Sequence, residues 1–387
     1  MKKLTIVVPT YWTYPSDEKN KEEEYIFDHP TPLDRKGTLG RLLFSLNNID
    51  YDNFEVLVLS SAVHDELKGK VESKVELILK QNNYNYPIKH FSYSQLNELK
   101  EKLKEATPTE FLKEINLKNY GNIRNLQLLV PYMDGTDIVV AIDDDDIIED
   151  NKYLEKAVEF VGKEIDGNYI AGVAGYYTDI KGHHYLQEKQ NPENLFEKKN
   201  KLMNDTYKKL ENIEQRLVKT PLVLGGNMVF PKKTIENIPF DPFISRGEDI
   251  DYLINAKMEG YQFYFDKALK IVHLPPDYDN DKINITKIES DIYRFIYEKK
   301  KLEIAKDKNK HINIETDELK PYPGEFLTAN IKKEAYDLLF KSYKKQNISK
   351  PKVKAENFIK NASYKAEQLA PSYFNFNNSW KELLSVL

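Results

Sequence analysis

The sequence predicts an α/β fold, in which a mixed, mostly parallel sheet is flanked by helices and followed by a helical C-terminal extension. Short apolar runs rich in β-branched residues alternate with helical patterns as far as about residue 275. One of these runs, residues 138–142, has no charge and is followed directly by four aspartates at 143–146. From residue 281 onward no strand pattern recurs, and Lys/Glu-rich helical patterns with aromatic residues replace it.

The first half of the chain predicts strands and helices in alternation. Strands are expected at residues 4–8, 55–59, 88–91 and 138–142, and helices at 39–46, 65–80, 96–104 (charged and exposed) and 122–132. Four leucines repeat at helical spacing behind a Thr38 cap, so the first helix is expected to bury one face. The polar segment 12–36 is long for a connection and is expected to be a functional or mobile loop.

The second half completes the sheet and then becomes helical. Helices are expected at residues 153–160 and 249–258, strands at 169–174 and 222–230, a polar helical insertion at about 183–219, and two short strands or a hairpin at 261–272. Glycines 225 and 226 interrupt one of these strands, which indicates a bulge or a close approach of ligand. Further helices are expected at 283–305 and 330–345. The predicted organisation is a catalytic domain over 1–280 and an extension over 281–387.

Composition limits the class of protein. The 387 residues are 40% hydrophobic and 31% charged, and the net charge of -5 favours neither nucleic acid nor a membrane surface as a partner. The chain has no cysteine, which excludes disulfides, thiolate catalysis and cysteine metal sites. No segment approaches the roughly 20 apolar residues of a membrane span, and the apolar run that ends at Pro9 is too short for a signal peptide. We therefore expect a cytoplasmic enzyme.

The four aspartates at 143–146 are the clearest indication of function. Ligands of open α/β sheets bind outside the carboxyl ends of the strands, where these acids are expected to lie. Adjacent carboxylates repel one another, so the cluster costs stability unless a cation neutralises it. Mg²⁺ or Mn²⁺ with a bound phosphate is the natural counterpart. The alternative is a solvated acidic loop without a ligand.

Several motifs occur in an order that resembles one enzyme family. The motifs are IVVPTYW at the N-terminus, IRNLQLL before the acidic strand, VAIDDDDII with its D-x-D, LGGNMVF, RGEDIDYLINAKMEGY, and a late histidine. Over about residues 1–275 they resemble glycosyltransferases of the GT-A fold, most closely the family-2-like group. The resemblance implies a UDP- or GDP-linked sugar donor, a divalent metal, and transfer to a hydroxyl of a small molecule or glycan.

The resemblance also implies roles for individual residues. Asp145 is expected to bind the metal, and His273 to complete the metal site. Asp143 is expected to contact either the ribose or, through a water molecule, the metal. Asp249 is expected to be the general base of an inverting transfer, with Glu248 orienting the acceptor. The residues expected to bind the donor are Pro9, Tyr11, Ser61, Arg124, Asn125, Asp143, Asp144, Gly226 and Arg246.

Several alternatives stay open at this stage. Tyr11 is equally compatible with a core aromatic, and Ser60 and Ser61 stand where family members often carry base-reading acids, so the choice between UDP and GDP is open. A retaining transferase, a nucleotidyltransferase and a non-catalytic sugar- or nucleotide-binding module are the other functions considered. No Gly-rich basic loop follows the first strand, which argues against the nucleotidyltransferase. The aromatic C-terminal helices are expected to shape the acceptor site or to form a homodimer contact.

Overall fold

The computed structural model describes residues 2–387 except 19, 20, 22, 26, 82, 277–284, 309–313 and 315. The strands are β1 (Leu4–Thr13), β2 (Thr31–Pro32), β3 (Phe54–Ala62), β4 (Ile88–Phe91), β5 (Ile138–Ala141), β6 (Asp146–Ile147), β7 (Glu164–Ile165), β8 (Asn168–Thr178), β9 (Leu217–Lys219), β10 (Met228–Pro231) and β11 (Gln262–His273). The helices are α1 (Leu39–Ser45), α2 (Lys68–Lys80), α3 (Tyr93–Leu103), α4 (Thr109–Glu114), α5 (Tyr120–Met133), α6 (Tyr153–Phe160), α7 (Lys199–Glu211), α8 (Lys232–Asn237), α9 (Glu248–Met258), α10 (Ile285–Lys308), α11 (Gly324–Thr328), α12 (Ile331–Lys345) and α13 (Pro351–Val386).

The strands form a mixed sheet in the order β4-β3-β1-β5-β10-β8-β11-β6. The first four strands in this order are mutually parallel, β10 is antiparallel to both β5 and β8, and β8 and β11 are again parallel. Every residue of β5 is buried, as expected for a strand covered on both faces. The predicted α/β fold, with its mostly parallel sheet and helical C-terminal extension, is therefore confirmed.

The first strand is longer than predicted because Pro9 does not end it. Residues 4–12 of β1 pair in register with β3, whereas β5 pairs only with residues 4–7. The Val7 carbonyl accepts from the Ile142 amide on the β5 side, so the Pro9 nitrogen also faces that side. Since β5 has already ended there, the missing N–H of proline costs no ladder hydrogen bond.

Four other local predictions were wrong. The expected strand at 222–230 is reduced to β10, and Gly225 and Gly226 lie in the turn before it. The expected hairpin at 261–272 is the single strand β11, with an irregularity between Phe265 and Lys270 against β8. The predicted insertion ends in a strand, β9, which pairs with β11. Helix α3 is not simply exposed, because its four apolar residues are buried.

The C-terminal extension shares the core of the sheet. Trp380 of α13 is fully buried and donates from its indole nitrogen to the Ile235 carbonyl at 2.7 Å, and Phe376 stacks on Phe111 with ring centroids 4.8 Å apart. The predicted boundary at residues 280 and 281 lies outside the described residues. None of the described helices is both long enough and apolar enough to cross a bilayer.

A buried ion cluster fastens α10 to α9. The Lys301 ammonium lies 2.8 Å from Asp241 and 2.6 Å from Asp251, and all three side chains are inaccessible to solvent. The Tyr297 hydroxyl donates to Asp241 at 2.9 Å. Because a buried charge without a partner is costly, these contacts fix the helix that carries the Glu248–Asp249 pair against the extension.

Replacing Lys301 by methionine should lower the free energy of unfolding by about 3–5 kcal/mol, because two buried carboxylates lose their cation. Lys300→Met is the matched control, since the Lys300 ammonium lies at the surface, 3.5 Å from Glu303. Because surface ion pairs contribute little, this replacement should change the free energy of unfolding by no more than about 1 kcal/mol. Urea unfolding measures both variants. Equal losses of stability would contradict the structural role given to Lys301.

Candidate active site

A cleft opens where β1 and β5 end and α9 begins. Its volume is about 290 Å³. The lining residues come from the sheet edge, the loop after β1, helices α5 and α9, α7 of the insertion, α10 of the extension and the segments before α9, β10 and α11. They are Tyr11, Asp28, His29, Tyr120, Arg124, Asp143, Asp144, Asp145, Tyr177, Lys199, Met203, Leu224, Gly225, Arg246, Gly247, Glu248, Asp249, Ile250, His273, Asp291, Arg294 and Tyr322. Most of the residues predicted to be functional are therefore brought together.

The aspartates at 143–146 lie at the rim of this cleft in different environments. Asp144 is buried and accepts from the Thr10 hydroxyl at 2.6 Å. Burial, reinforced by the charge of Asp145, raises the pKa of the Asp144 carboxyl well above its usual range. Asp146 is fully buried, and burial likewise raises its pKa well above the usual value. Without a cation in the cleft, burial therefore favours the protonated form of both carboxyls.

Three of the lining residues could hold a metal ion. One ligand atom each from His29, Asp145 and His273 lie within 4.8 Å of one another. The His273 Nδ1 is 3.1 Å from Asp146 Oδ1, which leaves Nε2 for a metal, as is usual when a carboxylate orients a ligating histidine. Burial lowers the pKa of His273, but the Asp146 hydrogen bond and the Asp145 charge outweigh it and raise that pKa to about 9.

The chemistry of this donor set fits a divalent transition metal. A carboxylate with two imidazoles suits Mn²⁺ better than Mg²⁺, since Mg²⁺ strongly prefers oxygen ligands. Asp145 and His273, both predicted as ligands, lie in the set. Asp143, also predicted as a ligand, does not, because its carboxylate is engaged by Arg124 at 2.9 Å and by the Tyr177 hydroxyl at 3.3 Å.

Arg124 joins the aspartates to the acid pair on α9. Its Nη2 lies 2.9 Å from Asp143 Oδ1 and its Nε donates to Glu248 Oε1 at 3.1 Å, and the residue is only 3% exposed. A Cβ on Gly225 would fall 2.5 Å from the same guanidinium, so glycine is required for this approach. Arg124 therefore fixes the distance between the two acidic groups of the cleft.

Burial raises the pKa of both carboxyls of the acid pair. Burial, followed by the charge of Asp249, raises the pKa of Glu248 to about 7 despite its Arg124 partner. Burial also raises the pKa of Asp249, and its hydrogen bond from the Ile250 amide opposes this only in part. The Asp249 carboxylate accepts from the Ile250 amide at 2.8 Å and from the Gly225 amide at 3.1 Å, which orients it at the start of α9.

Four residues predicted to bind the donor do not line the cleft. Pro9 is buried within β1, and the Ser61 hydroxyl donates to the Leu117 carbonyl at 2.8 Å. The Asn125 amide exchanges hydrogen bonds of 2.8 and 2.9 Å with the Phe240 backbone. Gly226 lies beneath the acidic cluster rather than on the surface of the cleft. The structure therefore places all four residues behind the cleft, where they support the surrounding backbone rather than face a ligand.

Tyr11 and Arg246 do line the cleft but are engaged by the protein. The Tyr11 ring stacks on Phe27 with centroids 4.3 Å apart, which is the core-aromatic alternative, although its edge reaches the cleft. Arg246 lies 3.1 Å from Asp28 and 3.0 Å from Asp291. Donor binding by either residue stays a prediction.

His29 is one of the site residues that sequence reasoning did not assign. Its only signal was a histidine within the long polar segment 12–36, and no spacing rule connects it to Asp145 or His273. Lys199, Asp291 and Arg294 were also not assigned, because they come from the insertion and the extension, whose position over the cleft is set by tertiary packing.

Comparison with known proteins gives distant structural similarity. No protein-family model and no curated protein matches the chain. The chain is similar to a mannosyltransferase from Pyrobaculum calidifontis solved with GDP-Man and Mn²⁺, with 14% identity, TM-score 0.44, and coverage of 99% of this chain and 86% of that one. It is also similar to glucosyl-3-phosphoglycerate synthase from Mycobacterium tuberculosis, solved with Mn²⁺, UDP and phosphoglyceric acid, with 14% identity, TM-score 0.40, and coverage of 77% and 78%.

A third similar structure is GalNAc-T7 with UDP, GalNAc and Mn²⁺, with 10% identity, TM-score 0.39, and coverage of 89% of this chain and 58% of that one. All three are nucleotide-sugar glycosyltransferases, the class that the sequence motifs resemble.

The packing at Gly226 gives a test of the site geometry. A Cβ there would lie 2.0 Å from the Tyr177 hydroxyl and 2.8 Å from the Asp143 carboxyl carbon. Gly226→Ala should therefore displace the acidic cluster and weaken Mn²⁺ binding, measured by titration calorimetry, by about tenfold or more. In the control Gly69→Ala, where nothing lies within 4 Å, binding should be unchanged. Unchanged binding in a folded Gly226→Ala protein would contradict the described packing.

Proposed function

We propose that this chain is a metal-dependent glycosyltransferase that moves a sugar from a nucleotide-diphospho-sugar to an acceptor hydroxyl. The observation that supports it best is the presence, in one cleft, of a His29–Asp145–His273 ligand set and of the Glu248–Asp249 pair. A departing diphosphate needs positive charge, and an attacking hydroxyl needs a base. The cleft provides residues suited to both needs.

Asp249 is the proposed general base. The acceptor oxygen attacks the anomeric carbon while its proton passes to the Asp249 carboxylate, and the bond from the anomeric carbon to the diphosphate oxygen breaks with its electron pair on that oxygen. Such a direct displacement inverts the anomeric centre. Burial raises the pKa of Asp249, which makes its carboxylate a stronger base than that of an exposed aspartate.

On the donor side, the chain's own residues bind and orient. A divalent ion held by His29, Asp145 and His273 would act as a Lewis acid that offsets the charge of the leaving diphosphate. Asp146 orients the His273 ring. Arg124 contacts both Asp143 and Glu248, and it therefore fixes the donor side of the cleft relative to the acceptor side. The acceptor-orienting role predicted for Glu248 is retained as a proposal.

The finer predictions from the sequence are also retained as proposals. They are the inverting outcome, a UDP- or GDP-linked donor, a cytoplasmic location, a catalytic domain over residues 1–280, and a homodimer through the C-terminal helices. The Ser61 hydroxyl donates to the Leu117 carbonyl, so Ser61 is not proposed to read the base.

The proposal predicts that Asp249→Asn lowers the release of nucleoside diphosphate from a nucleotide-sugar by about 10²–10⁴-fold, because an amide cannot accept the proton. Asp145→Ala should abolish the stimulation by Mn²⁺. The control Asp317→Asn, at a residue whose side chain is 77% exposed, should behave as the wild type. Pyrophosphate release from a nucleoside triphosphate would instead indicate a nucleotidyltransferase, and binding of nucleotide without turnover would indicate a binding module.

A further inference from the structure

The cleft wall beyond Asp249 is built by parts of the chain outside the central sheet. Lys199 comes from α7 in the insertion, and Asp291 and Arg294 come from α10 in the extension. Arg246, just before α9, completes this wall. The mechanism above uses none of these four residues, although all of them line the cleft.

Asp291 bridges Lys199 and Arg246, and Arg294 contacts the backbone of Gly247, the residue after Arg246. The Lys199 ammonium lies 3.0 Å from Asp291 Oδ2, and the Arg246 guanidinium lies 3.0 Å from Asp291 Oδ1. Arg294, only 1% exposed, donates to the Gly247 carbonyl at 3.3 Å and to the Tyr322 hydroxyl at 2.8 Å. Burial alone would raise the pKa of Asp291, but Lys199 and the two arginines outweigh it and hold that pKa well below its usual range.

Positive charge exceeds negative charge in this wall. Four cations, from Lys199, Arg246, Lys287 and Arg294, face the carboxylates of Asp28 and Asp291, since Lys287 and Arg246 both contact Asp28. The next carboxyl group, Glu298, lies 3.7 Å from Arg294 and is fully buried.

Glu298 adds little negative charge to this wall at neutral pH. Burial raises its pKa to about 8, against the opposing charge of Arg294, so most of it stays protonated. Within the described part of the wall, the four cations exceed the carboxylates of Asp28 and Asp291 by two, and the nearby Asp249 carboxylate offsets one of these, so about one positive charge is left over. Such an excess is costly in a partly desolvated cleft unless an anion is bound.

We propose that Lys199 and Arg294, together with Arg246, bind an oxyanion of the acceptor, a carboxylate or a phosphate, so that the acceptor is an anionic hydroxyl compound. This inference rests on the proposed function, because it assigns the acceptor side of the same cleft. Lys199 and Arg294 are both close enough to Asp249 to lower its pKa by their charge. An acceptor held by its anion there would present its hydroxyl to Asp249.

Inorganic phosphate, titrated without metal, tests the anion site directly. Lys199→Gln should weaken phosphate binding by about tenfold or more, since it removes a charge-assisted contact. Lys199 is the residue of choice because its side chain is 24% exposed, whereas Arg294 supports Gly247 from within the core. Lys201→Gln is the matched control on the same helix, because that side chain is 51% exposed and pairs with Asp205. Equal phosphate affinity in wild type and Lys199→Gln would overturn the site.

Nucleotide binding distinguishes the acceptor from the donor as the source of the anion. The affinity for UDP or GDP with Mn²⁺ should be the same in wild type, Lys199→Gln and Lys201→Gln. A loss of nucleotide affinity in Lys199→Gln that matches its loss of phosphate affinity would overturn the proposal, because the cations would then belong to the donor diphosphate.

Acceptor selectivity completes the test. With a panel of matched hydroxyl compounds, such as glucose, glucose 6-phosphate and glucuronate, the anionic members should be preferred, and Lys199→Gln should reduce the ratio of anionic to neutral transfer relative to Lys201→Gln. Preference for neutral acceptors would overturn the inference. If no nucleotide-sugar releases its diphosphate while phosphate binding still depends on Lys199, the proposed function fails and the oxyanion site stands.

Discussion

Repulsion among the aspartates at the end of β5 is the constraint on which this structure depends. Each aspartate contacts different neighbouring side chains, and these contacts define the cleft. Asp143 is paired with Arg124, Asp144 is buried against Thr10, and Asp146 is hydrogen-bonded to His273. Asp145 faces the imidazoles of His29 and His273, and together the three side chains offer ligand atoms for a divalent cation.

The rest of the chain builds around this edge of the sheet. Arg124 links the aspartates to the acid pair at the start of α9. Its guanidinium fits against the backbone at residue 225 because that residue is a glycine. The buried Lys301 cluster then ties α9 to α10, whose Arg294 lies against Gly247. The helical extension is thus part of the cleft rather than a separate addition.

Much of the fold could be predicted from the sequence, because apolar periodicity and strand-end acids are local signals. Residues 88–91 and 153–160 were predicted with the bounds that the structure shows, whereas β1 was cut short because proline is tolerated where a neighbouring strand has ended. Asp145, His273 and Asp249 were found through motif order. His29 and Lys199 were not, since only tertiary packing of a long loop and an insertion brings them to the cleft.

The most direct test of the account is where Mn²⁺ binds. Anomalous diffraction from crystals grown with Mn²⁺ and a nucleoside diphosphate should show one peak bounded by His29, Asp145 and His273, with the diphosphate on its open side. A peak elsewhere on the protein, or nucleotide bound in the cleft with no manganese beside Asp145, would contradict the claim that these acids hold a cation for catalysis.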